Sequence, residues 1–213
     1  KNKNMKGKNT MKMTFRWYGD DDPITLDNIR QIPCMTGVVT AVYSVPVGEV
    51  WPMEEIERMK AEVEAKGLEM EVIESVPVHE DIKLKRGNYQ LYIDNYKENI
   101  RRLAKAGVKC ICYNFMPVFD WTRSNLEWVN EDGSTSLIYR DQAVLDMDPR
   151  SGDLSLPGWD SSYTKEGLGK LLEEYKAIDD KALWDNLEYF LKGIIPTCEE
   201  CGVRMAIHPD DPP

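Results

Sequence analysis

The chain has 213 residues, 37 Asp+Glu against 27 Lys+Arg, and a formal net charge of −10. That balance argues against a nucleic-acid scaffold and against a membrane-surface protein, both of which need clustered positive charge, and leaves a small molecule as the expected partner. The length suits one core of ordinary size or a part of a larger single domain.

The first residues, KNKNMKGKNTMK, form the basic cluster of the chain. No apolar run behind them is long enough for a signal peptide or a membrane span, so residues 1–12 read as a disordered extension or one carried over from cloning. Cys34, Cys110, Cys112, Cys198 and Cys201 make an odd count without a secretion signal. A disulfide framework is therefore not expected, and the reducing cytosol is the expected location.

In chain order, the pattern predicts a strand over 13–18 and another over 38–43. Arg16 lies in the first, where a buried guanidinium needs a carboxylate partner, either from a substrate or from the protein. In WPMEEIERMKAEVEAKG, Met53, Ile56, Met59 and Val63 fall on one helical face, opened by Pro52 and acidic residues and closed by Gly67. A strand over 69–74 follows. His79, a few residues beyond it, either hydrogen-bonds a ligand or caps the next helix. A helix with Tyr89, Tyr92, Tyr96, Ile100 and Leu103 on one face follows, behind Asn88 as its cap, and a strand over 109–114 comes next.

The following stretch, from Phe115 to about Tyr163, is far longer than an ordinary connection, and its Phe119, Trp121, Trp128, Tyr139 and Trp159 are too aromatic for disorder. It reads as a lid over the strand ends in preference to a packed subunit contact. Asp120, Trp121 and Arg123 within it either close over a polar ligand or pack the lid. Leu183, Leu187, Phe190 and Ile194 then mark a last helix, in which Pro196 should cause a kink or a new turn. Cys198 and Cys201 continue that stripe at helical spacing, so CEEC reads as buried apolar cysteine rather than a redox or zinc pair. A fifth strand is expected over 203–208.

Three segments repeat one layout: KGLEMEVIES, AGVKCICYNF and CGVRMAIHP each pass from a helix through glycine into an apolar run. Aligned on Gly67, Gly107 and Gly202, they end near Glu74, Asn114 and His208. Strands alternating with helices imply βαβ units and a parallel sheet, with ligands bound at the carboxyl ends of the strands. His208 stands at such an end, ahead of Pro209, Asp210 and Asp211. A neutral imidazole there suits a transition metal, with an aspartate to orient it or bind a substrate hydroxyl; a plain loop histidine is the other reading.

Six strings, FRWYG, VVTAVYSVPVGEVWP, VIESVPVHEDIK, CYNFMPVFDWTRS, LPGWDSSY and IHPDDPP, together closely resemble the mannonate dehydratases of hexuronate breakdown, over about Met13 to Pro213. The resemblance implies a xylose-isomerase-like TIM (β/α)8 barrel. Residues 13–213 would supply about the first five strands, with 115–163 as an inserted lid. It implies metal-dependent dehydration of D-mannonate to 2-keto-3-deoxy-D-gluconate, with Mn²⁺ or else Fe²⁺ or Co²⁺. It maps a metal ligand onto His208 and substrate contacts onto Trp17, His79, Asn114, Trp121, Arg123 and Asp210. The remaining ligands and the acid–base groups of the family are expected beyond Pro213, so the chain alone is expected to be inactive and to bind Mn²⁺ weakly. A homo-oligomer stays open.

Removing a proton beside a carboxylate and expelling a hydroxyl needs a cation, a base and an acid, which agrees with this donor set. Two other readings remain: a metal-dependent sugar isomerase or epimerase of the same barrel class, for which Glu74 would be the main ligand candidate, and a non-catalytic incomplete barrel that serves as an assembly partner.

Overall fold

A computed structural model describes residues 11–118, 123–145 and 165–209. Its elements in chain order are β1 (Met13–Arg16), α1 (Leu26–Ile29), β2 (Met35–Thr40), α2 (Met53–Ala65), β3 (Glu69–Glu74), α3 (Glu80–Lys83) and α4 (Tyr89–Lys105). There follow β4 (Cys110–Tyr113), β5 (Asn125–Val129), β6 (Thr135–Ile138), α5 (Asp141–Leu145), α6 (Lys165–Tyr175), α7 (Asp180–Cys201) and β7 (Arg204–Ile207). The sheet order is β1-β2-β3-β4-β7, with β5 and β6 forming a separate two-stranded sheet. The pairs β1/β2, β2/β3 and β3/β4 are parallel, so the expected α/β class is present as an open five-stranded part of a barrel. No helix among the described residues is long and apolar enough to cross a membrane.

The chain divides into two compact units. The first comprises Lys1–Pro77, Ile93–Tyr113 and Ile194–Ala206; the second comprises Val78–Tyr92, Asn114–Gly193 and Ile207–Pro213.

The first unit is built on a repeated helix stop. Gly67, Gly107 and Gly202 all take positive φ, of 74°, 99° and 64°. In each, the glycine N–H returns to a carbonyl three residues back, and the next N–H returns five back: Leu68 to Val63, Val108 to Leu103, Val203 to Cys198. Those bonds satisfy the last carbonyls of the helix and turn the chain into the next strand. The residue after each glycine is buried, which fastens the turn to the core.

That core joins Val38, Ile73 and Ile111 of the strands to Ile56, Met59, Val63, Ile100 and Leu103 of the helices, the stripes expected from spacing. One further constraint was not anticipated. Asn95, Asn99 and Arg102 share one face of α4 and grip the loop before α2. Asn95 Nδ2 donates to Gly48 O at 2.8 Å, and Asn99 uses both ends of its amide, accepting from Trp51 N–H at 2.8 Å and donating to Glu49 O at 3.0 Å. Arg102 donates to Trp51 O at 2.8 Å, so a loop that buries Trp51 keeps its backbone polar groups paired.

Several strands are shorter than expected at their ends, β1 stopping at Arg16, β4 covering Cys110–Tyr113 and β7 covering Arg204–Ile207. The second strand covers 35–40, not 38–43. Met35 already pairs with Met13, and the ladder stops at Thr40, so Ala41 to Tyr43 lead toward Pro46 outside it. α7 runs as one helix through Pro196, so of the two expected effects a new turn does not begin there. The ring is exposed, so the carbonyl four residues earlier that loses its N–H partner can face water, which lowers the cost of an interior proline.

In the second unit, β5 and β6 form an antiparallel hairpin within the long stretch after β4. Asp132 and Gly133 sit at its tip, with Gly133 at φ 81°, and Gly133 N–H donates to Asn130 O. Phe190 packs against Phe115 with ring centroids 5.9 Å apart.

Two glycines separate backbone strain from steric exclusion. A Cβ at Gly67 meets nothing within 4 Å, whereas one at Gly37 stands 2.3 Å from Glu69 O across the β2/β3 ladder. Gly67→Ala is expected to cost about 1 kcal/mol, from the left-handed conformation alone. Gly37→Ala is expected to cost more, because two paired strands must part. Urea denaturation of the two variants checks the order.

Candidate functional site

At the carboxyl ends of β1, β3 and β4 the first unit gathers polar side chains on one face of the sheet. Glu74 pairs in register with Cys112. Arg16, the last residue of β1, places Nη1 3.4 Å from Glu74 Oε2 and its guanidinium 4.8 Å from the centre of the Tyr18 ring. The carboxylate partner that Arg16 requires is therefore provided by the protein. It is an incomplete match: Arg16 Nε and Nη1 are hidden from solvent without a hydrogen-bond acceptor. Such donors favour an added carboxylate or hydroxyl oxygen if the side chain adjusts.

Burial acts on the neighbouring acids. It raises the Tyr43 hydroxyl above its ordinary value, against the pull of Arg16. It also pushes the Cys112 thiol up to about 11, with Cys110 and Glu74 adding to the effect. Cys198 is buried and likewise reaches about 11. Neutral thiols at these positions are poor metal ligands and nucleophiles, which agrees with the packing reading of CEEC. All five cysteines are free.

The individually expected residues fall out as follows. Trp17 is 4% exposed and belongs to the core of the first unit, with its N–H donating to Val39 O at 2.9 Å. Asn114, directly after β4, and Arg123, before β5, are half-buried in the second unit. Trp121 and Asp210 lie outside the described residues, as do Asp120 and Trp159.

His79 is the N-cap of α3. Its Nδ1 accepts the Asp81 N–H at 3.0 Å, and its ring stacks on Tyr92 at 3.8 Å. An accepting Nδ1 leaves the proton on Nε2, so the ring keeps one donor for another partner. Burial lowers its pKa below the ordinary 6.5, outweighing Asp81 and Glu80, which act in the other direction.

His208 follows β7 directly, and its Nδ1 lies 2.7 Å from Pro209 O. A carbonyl can only accept, so this contact sets the proton on Nδ1 and leaves the Nε2 lone pair available. That tautomer is the one a metal-binding histidine adopts when a backbone carbonyl orients it. His208 thus fits one position in a metal site. Among the described residues no group of three or more His, Cys, Asp or Glu is placed to hold a metal ion.

A parallel α/β sheet with glycine-stopped helices and polar groups at its strand ends defines a protein of the β/α class, whose chemistry is placed at the carboxyl ends of strands. The particular family is shown by the D-mannonate dehydratase (UxuA) family model, which matches residues 11–213, and the chain belongs to that family. It is 61% identical over 203 residues to the mannonate dehydratase of Streptococcus uberis, covering 95% of this chain and 58% of that protein. It is 59% identical over 203 residues to the mannonate dehydratase of Streptococcus agalactiae serotype Ia, with the same coverage. The crystal structure of mannonate dehydratase from Streptococcus suis serotype 2 superposes with a TM-score of 0.85 at 51% identity, covering 94% of this chain and 54% of that one. The chain therefore spans little more than half the length of these relatives.

The pH dependence of His79 has a definite sign. Below 6.5 the unfolded chain takes up a proton that the folded ring refuses until its own lower midpoint. The stabilisation is therefore complete at neutral pH and is lost as pH falls from 6.5 through the folded midpoint. An NMR titration should place the His79 midpoint below that of an unfolded histidine. His79→Asn, which keeps a capping acceptor, should flatten the stability profile in this window.

Proposed function

We propose that this chain forms the β1-to-β7 portion of an enzyme that dehydrates D-mannonate to 2-keto-3-deoxy-D-gluconate in hexuronate breakdown. The observation that carries this reading is 61% identity to the Streptococcus uberis mannonate dehydratase along 95% of the chain. Free cysteines and the acidic balance support a cytoplasmic location and a small sugar acid as partner, with nucleic acid and membrane left aside.

The proposed cofactor is Mn²⁺, with Fe²⁺ or Co²⁺ as related choices, and His208 Nε2 would be one of its ligands. When bound, such an ion supplies positive charge that stabilises the anion developed beside the substrate carboxylate. The chain's own groups bind and orient. The Nε2–H of His79 is proposed to donate to a substrate oxygen, and Asn114 and Arg123 to hold hydroxyl or carboxylate groups. Trp121 and Asp210 are proposed by motif position. Trp17, a core residue, would act through packing of its strand end. The stretch 115–163 is proposed as the lid.

The isomerase or epimerase reading requires Glu74 as a metal ligand. Its ion pair with Arg16 works against that role, because a ligand carboxylate would have to give up its cationic neighbour.

A fusion of this chain to the carboxyl-terminal part of the Streptococcus uberis enzyme tests the proposal. With Mn²⁺ and D-mannonate it should form keto-deoxy-gluconate, and His208→Ala should lower the rate by at least 100-fold while the fold is retained. The 213-residue chain alone should give no turnover. A folded fusion without activity, or one indifferent to His208→Ala, would contradict the proposal.

A further inference from the structure

The second unit contains a buried charge that the functional reading does not use. Lys83 is 5% exposed, in a helix of only four residues, and its ammonium makes two hydrogen bonds. Nζ donates to Glu80 Oε1 at 2.7 Å and to Met116 O at 2.9 Å. The other Glu80 oxygen accepts the hydroxyl of Tyr175. Around this pair, Asn186 Nδ2 donates to Lys83 O at 2.8 Å, and Arg86 pairs with both Asp81 and Glu174.

Met116 lies where the chain leaves β4 for the long stretch, and Tyr175 is the last residue of α6, where the chain comes back. One ion pair thus touches both stems of the same excursion. A buried ammonium and a largely buried carboxylate each depend on the other and on the neutral partners that share their remaining bonds. Losing the Tyr175 hydroxyl leaves Glu80 with an unfilled acceptor in a site of little water. The carboxylate then reorients, and the Lys83 bond to Met116 O weakens with it.

We propose that the Lys83–Glu80 pair is a latch that couples the two stems, so that loosening one loosens the other. The proposal is independent of the reaction assigned to the chain and would stand if that assignment failed. The latch helix is also the one that His79 caps, so both the capping histidine and the stems are fixed to one short element.

Hydrogen–deuterium exchange of the 213-residue chain tests the latch. Tyr175→Phe removes one hydroxyl from α6 and no atom from the segment around Met116. Exchange is expected to rise at least threefold both in 165–175 and in 115–118, while 93–105 in the other unit stays unchanged. Glu80→Gln, which keeps the shape and removes the charge, should raise the same two segments further. A rise confined to 165–175 would overturn the coupling, as would no change in either segment or an equal rise across 93–105.

Discussion

The main constraint on the first unit is a short one: three helices must stop and turn into a strand within two to four residues. Each does so on a left-handed glycine followed by a buried apolar residue, Leu68, Val108 or Val203. The glycine satisfies the helix carbonyls, and the apolar residue fixes the direction of exit. With the exit direction fixed three times over, β3 and β4 run parallel in the sheet and β7 takes the place beside β4. The carboxyl ends of the paired strands then carry the polar residues Arg16, Glu74 and Cys112.

The two faces of that sheet serve different purposes. Val38, Thr40, Ile73 and Ile111 are buried on the side that packs with the helices. Arg16, Glu74 and Cys112 are half-buried on the other, a distribution unlike a sheet covered by helices on both sides. Charge and hydroxyl groups there fit a face that handles a polar ligand. The donors of Arg16 that lack acceptors are the clearest mark of this, because native structures seldom leave buried N–H groups unpaired.

Much of this was legible in the sequence, and the reasons are specific. Glycine at 67, 107 and 202 has a conformational role that no other residue fills as cheaply, and the stripe Ile56, Met59, Val63 has a helical period that nothing else explains. The position of His79 allowed both a cap and a ligand contact, and the cap is now seen. Other features depend on what faces a residue, which spacing does not reveal. Asn95, Asn99 and Arg102 read as an ordinary polar face until the loop at 48–51 is placed against them. Glu80 and Lys83 have the spacing of any i,i+3 charge pair, and nothing in that spacing shows that Lys83 is buried. The hairpin had a signal in Asp132-Gly133 that the aromatic content of its surroundings obscured. His208 was legible as a lone imidazole at a strand end; its tautomer required the Pro209 carbonyl.

The central claim is that His208 is a metal ligand presented by the fifth strand of a mannonate dehydratase fold. The chain contains two histidines, so their ring signals are readily distinguished by substitution. The most direct measurement is a Mn²⁺ titration of the folded chain, followed through the ring resonances of His79 and His208. The account predicts that His208 broadens at the lowest ion concentrations and that its Nδ1 remains protonated. A His208 ring that stays sharp while exposed carboxylates broaden would contradict it.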